Sequence, residues 1–204
     1  MIRKRIWLLC FFTLLLAAAA AACGPGEQPA AAGDPTAGSP AQTAAETFPS
    51  PAASETLIQQ WAVEAEASSE FSVPEWSADK ATGAPDAPGC GDTQFAWASA
   101  ASDSIATLTL RYPDEVIPRE IIIHQSYNPD QVVKVEVFQE SRQSYFTVLQ
   151  KNPQPVDRPC PYRLSIPVEE IDFPTQQVRI TVDQSQLGLG WNEIDAVELV
   201  GLPD

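Results

Sequence analysis

The sequence predicts an all-β protein, folded as an antiparallel β-sandwich. From about Leu57 onward, apolar and polar residues alternate in short runs, and clusters of turn residues separate those runs. One face of each predicted strand is apolar and the other is polar, as two antiparallel sheets packed face to face require. No segment has a convincing long helical pattern. We therefore expect about nine short strands within about 145 residues.

Three runs show the alternation most clearly. They are Ile105–Tyr112, Gln131–Gln139 and Gln177–Gln184, and each places apolar residues at every second position. Similar strands are predicted at Trp61–Ala67, Gln94–Ala98, Arg119–Tyr127, Tyr145–Lys151, Tyr162–Val168 and Glu193–Val200. A one-turn helix is expected around Ser77–Ala81. Glu55–Glu66 has helical propensity, although its second half alternates equally well as a strand.

The N-terminal segment has the features of a bacterial lipoprotein signal peptide. Basic residues at positions 3–5 precede an apolar run over 6–16, and small residues then lead into Cys23. This arrangement predicts that residues 1–22 are removed and that the Cys23 thiol receives a diacylglycerol. The protein is therefore expected to be extracytoplasmic and lipid-anchored to a bacterial membrane, facing the cell surface or the periplasm.

Two other interpretations of this segment remain open. A transmembrane anchor needs about 20 apolar residues, and the run reaches that length only if its alanines are counted. An ordinary secretory signal with an Ala-x-Ala cleavage site is the second alternative. Gly24 follows the cysteine in place of the aspartate that retains some lipoproteins at the inner membrane.

Composition predicts a flexible tether over residues 23–58. This stretch consists almost wholly of Ala, Pro, Gly, Ser, Thr, Gln and Glu. Such a segment cannot bury enough apolar surface to offset the entropy lost on ordering, and its prolines stiffen it. The folded domain is expected to occupy residues 59–204.

The acidic charge excludes one class of partner. Removal of residues 1–22 takes away three positive charges, so the formal net charge goes from −15 to −18. Nucleic-acid affinity comes from neutralising phosphates with Lys and Arg, so we expect no nucleic-acid binding. Electrostatic adsorption to anionic lipid is also disfavoured. The acidity is explained by solubility or by carboxylates that bind calcium.

Two cysteines remain in the predicted domain, and we expect them to pair. An extracytoplasmic location permits disulfides, and both Cys90 and Cys160 lie beside turn residues. A bridge between them closes a loop of about 70 residues. Two cysteines and a single histidine without paired spacing do not make a four-ligand zinc site.

Several motifs resemble those of discoidin-like domains, which belong with the galactose-binding-like β-sandwiches. Ala67–Glu70, Trp76–Asp86 and Ala96–Ser99 resemble the opening of such a domain. Tyr127–Val135 and Trp191–Gly201 are similar to the discoidin-like domain of an F-box/leucine-rich-repeat protein and to the scarf-like domain of pappalysins. These motifs are more specific for the fold than for a ligand.

The resemblance implies a jelly-roll sandwich of about eight or nine strands, with the termini at one end and ligand loops at the other. Many relatives hold one structural calcium ion between the long early loop and the last strand. The residues in the matching regions are Asp86, Asp92, Thr93 and Glu198. Thr82 replaces the usual aspartate before the glycine. The alternative is an early loop held by Cys90 and hydrogen bonds.

Four loop residues are candidate ligand contacts. Trp76 and Trp191 lie in or beside loops rich in Gly, Asp and Asn. A tryptophan in such a loop offers a platform for the apolar face of a sugar. Tyr127 and Asn128 are the other two candidates. The alternatives are that the tryptophans cap the sandwich core and that Asn128 fixes a turn. Trp97 resembles the buried tryptophan of the family and is expected in the core.

The residues do not point to an enzyme. His124 is the only histidine, so a Ser-His-Asp or Cys-His arrangement must use it, yet it lies in a predicted strand without a nucleophile motif nearby. Carboxylate pairs serve glycoside hydrolysis in some enzymes, but 27 acidic residues supply such pairs by chance. No phosphate-binding glycine-rich loop is present.

These observations lead to two functional hypotheses. The first is a membrane-anchored lipoprotein whose non-catalytic domain binds glycan or envelope polysaccharide. The alternative is a protein-interaction or scaffolding module that contacts another envelope protein through a sheet face. Phe138 on the polar face of its strand is a small indication of the alternative. A domain that only spaces or protects the surface is a third possibility.

Overall fold

The computed structural model describes residues 56–129, 131–155 and 160–204. The predicted signal peptide, Cys23 and nearly all of the tether lie outside these residues. Within the described ranges, no helix is both long and apolar enough to cross a membrane.

The described part of the chain forms eight strands and two short 3-10 helices. The strands are β1 Ile58–Trp61, β2 Glu64–Ala67, β3 Ile105–Tyr127, β4 Val132–Gln139, β5 Ser144–Gln150, β6 Tyr162–Pro167, β7 Thr175–Asp183 and β8 Glu193–Pro203. The 3-10 helices are Ala78–Ala81 and Glu140–Arg142. The first of these helices confirms the predicted turn of helix.

All strand pairs are antiparallel, and they form two layers that share β3. The first half of β3 pairs with β2 and β7, and β7 continues to β4 and β5. The second half of β3 pairs with β6 and β8, and β8 pairs with β1. The hydrogen-bonded order is therefore continuous although the fold is a two-layer sandwich. The predicted all-β antiparallel jelly-roll β-sandwich is confirmed.

A bend in β3 carries the chain from one layer to the other. The register with β7 shifts between Arg111 and Val116, around Pro113, which has no N–H to donate. Gln60 holds the bend: its amide donates to the Asp114 carbonyl over 2.9 Å and accepts from the Asp114 N–H over 3.0 Å. This side chain satisfies backbone groups that the strand ladder leaves unpaired.

The core lies between the two layers and follows the predicted alternation. Leu108 and Ile180 from one layer and Ile121 and Leu199 from the other are fully buried in one apolar cluster. Trp97 belongs to the same cluster, as expected for the core tryptophan.

Four strand predictions differ from the structure. Trp61–Ala67 is divided between β1 and β2, and Ile105–Tyr112 and Arg119–Tyr127 belong to one 23-residue strand. Gln94–Ala98 is a loop in which Trp97 alone makes a strand-like pairing, with Ile194. Its apolar alternation arises because the loop packs on the core, which requires buried residues without requiring a strand.

The predicted disulfide is present. Cys90 and Cys160 are bonded, with their Cα atoms 5.1 Å apart. The neighbouring Gly91 N–H donates to the Ser126 carbonyl over 2.9 Å. The bond therefore ties the long loop between β2 and β3 to the end of β3 and to the start of β6.

Candidate functional site

Two loops at one end of the sandwich bring three aromatic rings together. The Phe71 ring lies 5.4 Å from the Trp76 ring and 5.3 Å from the Trp191 ring, with interplanar angles of 73° and 80°. These rings, with Asp92, Ala98 and Glu193, line a cleft of about 30 Å³, which we call the aromatic cleft. The structure therefore brings together two of the predicted ligand residues, Trp76 and Trp191.

Backbone hydrogen bonds fix the loop that carries Phe71 and Trp76. The Phe71 N–H donates to the Ala98 carbonyl over 2.8 Å, and the Ala98 N–H donates to the Trp76 carbonyl over 3.2 Å. Trp76 has a φ of 56°, in the left-handed region that a bulky residue rarely adopts. Such backbone strain costs on the order of 1 kcal/mol and persists only where the surrounding contacts impose it.

The indole N–H groups of both tryptophans also donate hydrogen bonds. Trp191 Nε1 donates to the Ser99 carbonyl over 2.9 Å, and Trp76 Nε1 donates to Asp92 Oδ1 over 3.2 Å. Phe71 is 48% exposed, and both tryptophans are partly exposed. The rings are thus held in place while part of their surface faces solvent.

A buried carboxyl group lies at the bottom of the aromatic cleft. Glu193, the first residue of β8, is 2% exposed and hydrogen-bonds Asp92. Its Oε2 accepts hydrogen bonds from the Thr93 N–H over 3.0 Å and from Ser126 Oγ over 3.2 Å. Burial raises the pKa of Glu193 to about 7. The Thr93 bond opposes this shift, and the Asp92 charge adds to it.

Asp195, two residues after Glu193 on β8, holds the same long loop. Its Oδ1 accepts hydrogen bonds from the Asp86 N–H over 3.2 Å and from the Ala87 N–H over 3.1 Å. Burial raises the pKa of Asp195 in spite of these two bonds. The loop is therefore held by β8 carboxyl groups that accept backbone N–H bonds.

The residues predicted to hold calcium do not converge on one point. Asp92 and Thr93 contact Glu193, whereas Asp86 contacts Asp195. Glu198 lies opposite Trp61 in the β1–β8 register, and its carboxylate is 3.9 Å from Arg163.

A calcium ion takes six to eight oxygen ligands. Among the described residues, no group of three Asp, Glu, His or Cys side chains is placed to hold a metal. The predicted set therefore does not fit a calcium ion. The arrangement matches the alternative, a loop held by Cys90 and hydrogen bonds.

Tyr127 and Asn128 lie beside the aromatic cleft but do not line it. Asn128 Nδ2 donates to the Leu189 carbonyl over 2.6 Å, and the Asn128 carbonyl accepts from Asn192 Nδ2 over 3.1 Å. These bonds connect the end of β3 to the loop that carries Trp191. Asn128 thus positions that loop, which matches the predicted turn-fixing alternative.

Comparison with known families identifies the domain. Residues 50–204 match the family model described as Pappalysin-1, SD scarf domain, C-terminal. The chain belongs to this scarf domain family. The match covers every described strand of the sandwich and confirms the resemblance that the sequence motifs indicated. A search of curated proteins gave no match.

Solved structures share the fold of the scarf domain. CpGH89CBM32-4 of Clostridium perfringens, in complex with GlcNAc-α-1,4-galactose, is 17% identical with a TM-score of 0.52, and the match covers 68% of this chain and 89% of that one. A mutant of chitosan-binding module 1, derived from a chitosanase/glucanase of Paenibacillus sp. IK-5, is 16% identical with a TM-score of 0.51; the match covers 68% and 93%. At this identity the likeness shows the fold alone.

Sequence reasoning missed two residues of the cleft in the scarf domain, Phe71 and Glu193. Phe71 lies in a Ser-rich turn segment before Pro74. The only indication of its role in the sequence is that it is a large apolar residue outside any predicted strand. Glu193 directly follows Trp191 and Asn192, but nothing in the sequence distinguishes it from the other carboxylates of β8.

We expect Glu193→Gln to alter the pH dependence of scarf-domain stability. Because the folded-state pKa of Glu193 is raised from 4.5 to about 7, the folded state holds the proton more tightly than the unfolded state. Its contribution to stability is present below the unfolded-state pKa and is lost as pH rises through about 7. Glutamine cannot ionise, so the variant should be about 3 kcal/mol more stable than wild type near pH 8.

Urea unfolding of both proteins near pH 4 and near pH 8 measures this difference. Glu198→Gln, the same substitution on the same strand but outside the cleft, is the control. A stability difference between Glu193→Gln and wild type that does not change with pH would show that burial of Glu193 does not shift its titration.

Proposed function

We propose that the scarf domain is a non-catalytic glycan-binding module. The observation that carries the proposal is the aromatic cleft, in which two tryptophans and a phenylalanine are held at a loop end with part of their surface exposed. Aromatic rings stack on the apolar faces of sugars, and neighbouring polar groups bond the hydroxyls. Asp92 provides such a group beside Trp76.

The similar solved structures support the same class of ligand. One was determined in complex with GlcNAc-α-1,4-galactose, and the other is described as a chitosan-binding module. These proteins share only the fold with this chain. The proposed ligand class therefore depends on the cleft residues, and the similar structures provide additional support. The hydrogen bonds around Trp76 and Trp191 hold the rings of the proposed binding surface in place.

The N-terminal segment suggests where the scarf domain acts in the cell. We propose that the protein is a lipoprotein whose Cys23 is lipidated, so that the domain stands on a tether outside the cytoplasmic membrane and meets envelope polysaccharide. The signal-like segment before Cys23 supports this setting. Labelled palmitate should be incorporated by the wild-type protein, and incorporation that persists in Cys23→Ser would contradict the anchor.

Trp76→Ala is expected to weaken glycan binding by about tenfold or more, because the substitution removes an exposed platform ring. The chain from residue 23 onward with Cys23→Ser, produced under oxidising conditions, is screened on a glycan array and then titrated with the best oligosaccharide. Trp61→Ala is the matched control, since Trp61 contacts His124 away from the cleft.

Two results would contradict the proposed function. One is the absence of binding to any glycan at millimolar concentration. The other is an equal loss of affinity in the Trp61 and Trp76 variants, which would place binding elsewhere or trace it to general destabilisation.

A further inference from the structure

The aromatic cleft combines aromatic rings with carboxyl groups. Three aromatic rings line it together with the buried carboxyl group of Glu193 and the exposed carboxyl group of Asp92, whose charge adds to the raised pKa of Glu193. In the described ranges, no Lys or Arg forms an ion pair with either carboxyl group. Two adjacent acids without a basic partner attract a cation from outside.

We propose that this cleft binds the protonated amine of an amino sugar. The inference rests on the proposed glycan-binding function and assigns its ligand class: a polysaccharide that contains glucosamine units with free amines. The ammonium group lies against the two carboxyl groups, and the sugar ring extends over the exposed Phe71 ring.

The walls favour an organic cation. The face of an aromatic ring carries negative charge density, so it attracts an ammonium group. The Phe71 ring is nearly perpendicular to both indole rings, with angles of 73° and 80°. Because all three rings line the cleft in different planes, an ammonium group bound there lies near more than one ring, a feature shared with the aromatic cages that recognise alkylammonium ligands.

The size of the cleft also fits one small charged group. A cleft of about 30 Å³ has room for a group the size of a water molecule, and an ammonium group is of that size. A whole sugar ring does not fit inside it. The ring therefore remains outside, where Phe71 is 48% exposed.

The same lining does not suit a calcium ion. Calcium needs six to eight oxygen ligands, but three of the six residues that line the cleft are aromatic and only two carry carboxyl groups. Glu193 Oε2 already accepts hydrogen bonds from Thr93 and Ser126. An ammonium group needs only a few acceptors and gains from the rings that calcium cannot use.

The test compares matched tetrasaccharides by calorimetric titration near pH 7, close to the pKa of Glu193, where a bound ammonium group favours the ionised carboxylate. The cationic probe is the glucosamine tetramer with free amines, whose ammonium group matches the size of the cleft. The neutral probe is the N-acetylated tetramer. The chain from residue 23 with Cys23→Ser is expected to bind the cationic probe about tenfold more tightly than the neutral probe.

Glu193→Gln and Asp92→Asn should each reduce this preference to about twofold or less. Glu198→Gln is the control and should keep it, since Glu198 lies beside Arg163. The two cleft variants provide independent tests, because Asp92 is exposed and its substitution leaves the buried Glu193 in place.

Three results would overturn the inference. Equal affinity for the two probes would contradict recognition of the amine, but it would remain consistent with the glycan-binding function. Competition of the cationic probe by submillimolar calcium would assign the carboxyl groups to a metal. If neither probe and no other glycan bound, both the recognition of an amine and the glycan-binding function would be contradicted.

Discussion

Trp97→Ala is expected to lower the free energy of unfolding by about 3–5 kcal/mol, the usual cost of deleting a fully buried large aromatic side chain. The Trp97 ring is completely buried in the cluster between the two layers. Its removal leaves a cavity that rigid strands on both sides cannot fill. Urea unfolding monitored by circular dichroism measures the loss.

The same substitution should also disorder the aromatic cleft. Trp97 Nε1 donates to the Ser69 carbonyl over 3.2 Å, and its backbone exchanges hydrogen bonds with Ile194. Ser69 precedes Phe71, and Ile194 follows Glu193, so Trp97 connects two elements of the cleft.

Trp97→Phe is the control, because it keeps most of the buried volume and removes the indole N–H. Its smaller loss should be on the order of 1–2 kcal/mol. A loss below about 1 kcal/mol for Trp97→Ala would contradict the central position of the ring.

Removal of the Cys90–Cys160 bond is expected to cost about 4 kcal/mol. The bond closes a sequence separation of 70 residues, and the chain-entropy model assigns such a loop a cost of that size in the unfolded state. The Cys90→Ser, Cys160→Ser double variant should therefore unfold at a lower urea concentration. Glycan binding should weaken as well, because Asp92 lies two residues from Cys90 on the loop that the bond holds.

A reductant separates this effect from that of the serines. Dithiothreitol should destabilise the wild-type chain and leave the double variant unchanged. If the two proteins were equally stable without reductant, the disulfide would not constrain the unfolded chain, and the predicted cost would be wrong.

The alternation of residues predicted the sheets well because burial imposes it. Val178, Ile180 and Val182 face the core with the period of two that a strand requires, and they lie on a strand paired on both sides. The alternation did not predict that one strand serves both layers. That feature depends on the Asp114 backbone being satisfied by Gln60, a contact across 54 residues that local pattern does not contain.

The candidate site was predictable only in part. Trp76 and Trp191 were accessible to sequence reasoning because tryptophan in a turn-rich loop is unusual. Glu193 was not, because its role arises from burial against Asp92. Glu198 was chosen from the same strand, but it lies opposite Trp61 in the β1–β8 register and beside Arg163, away from Asp92 and Thr93.

The strand pairing at the two ends of β8 separates the start of the folded domain from the aromatic cleft. Ile58, where β1 begins, lies opposite Gly201 near the end of β8, whereas Glu193 starts that strand. Eight residues of extended chain span about 27 Å. The aromatic cleft thus lies at the end of the sandwich opposite to the point where the chain enters β1, so the N-terminal segment starts on the side remote from the proposed ligand.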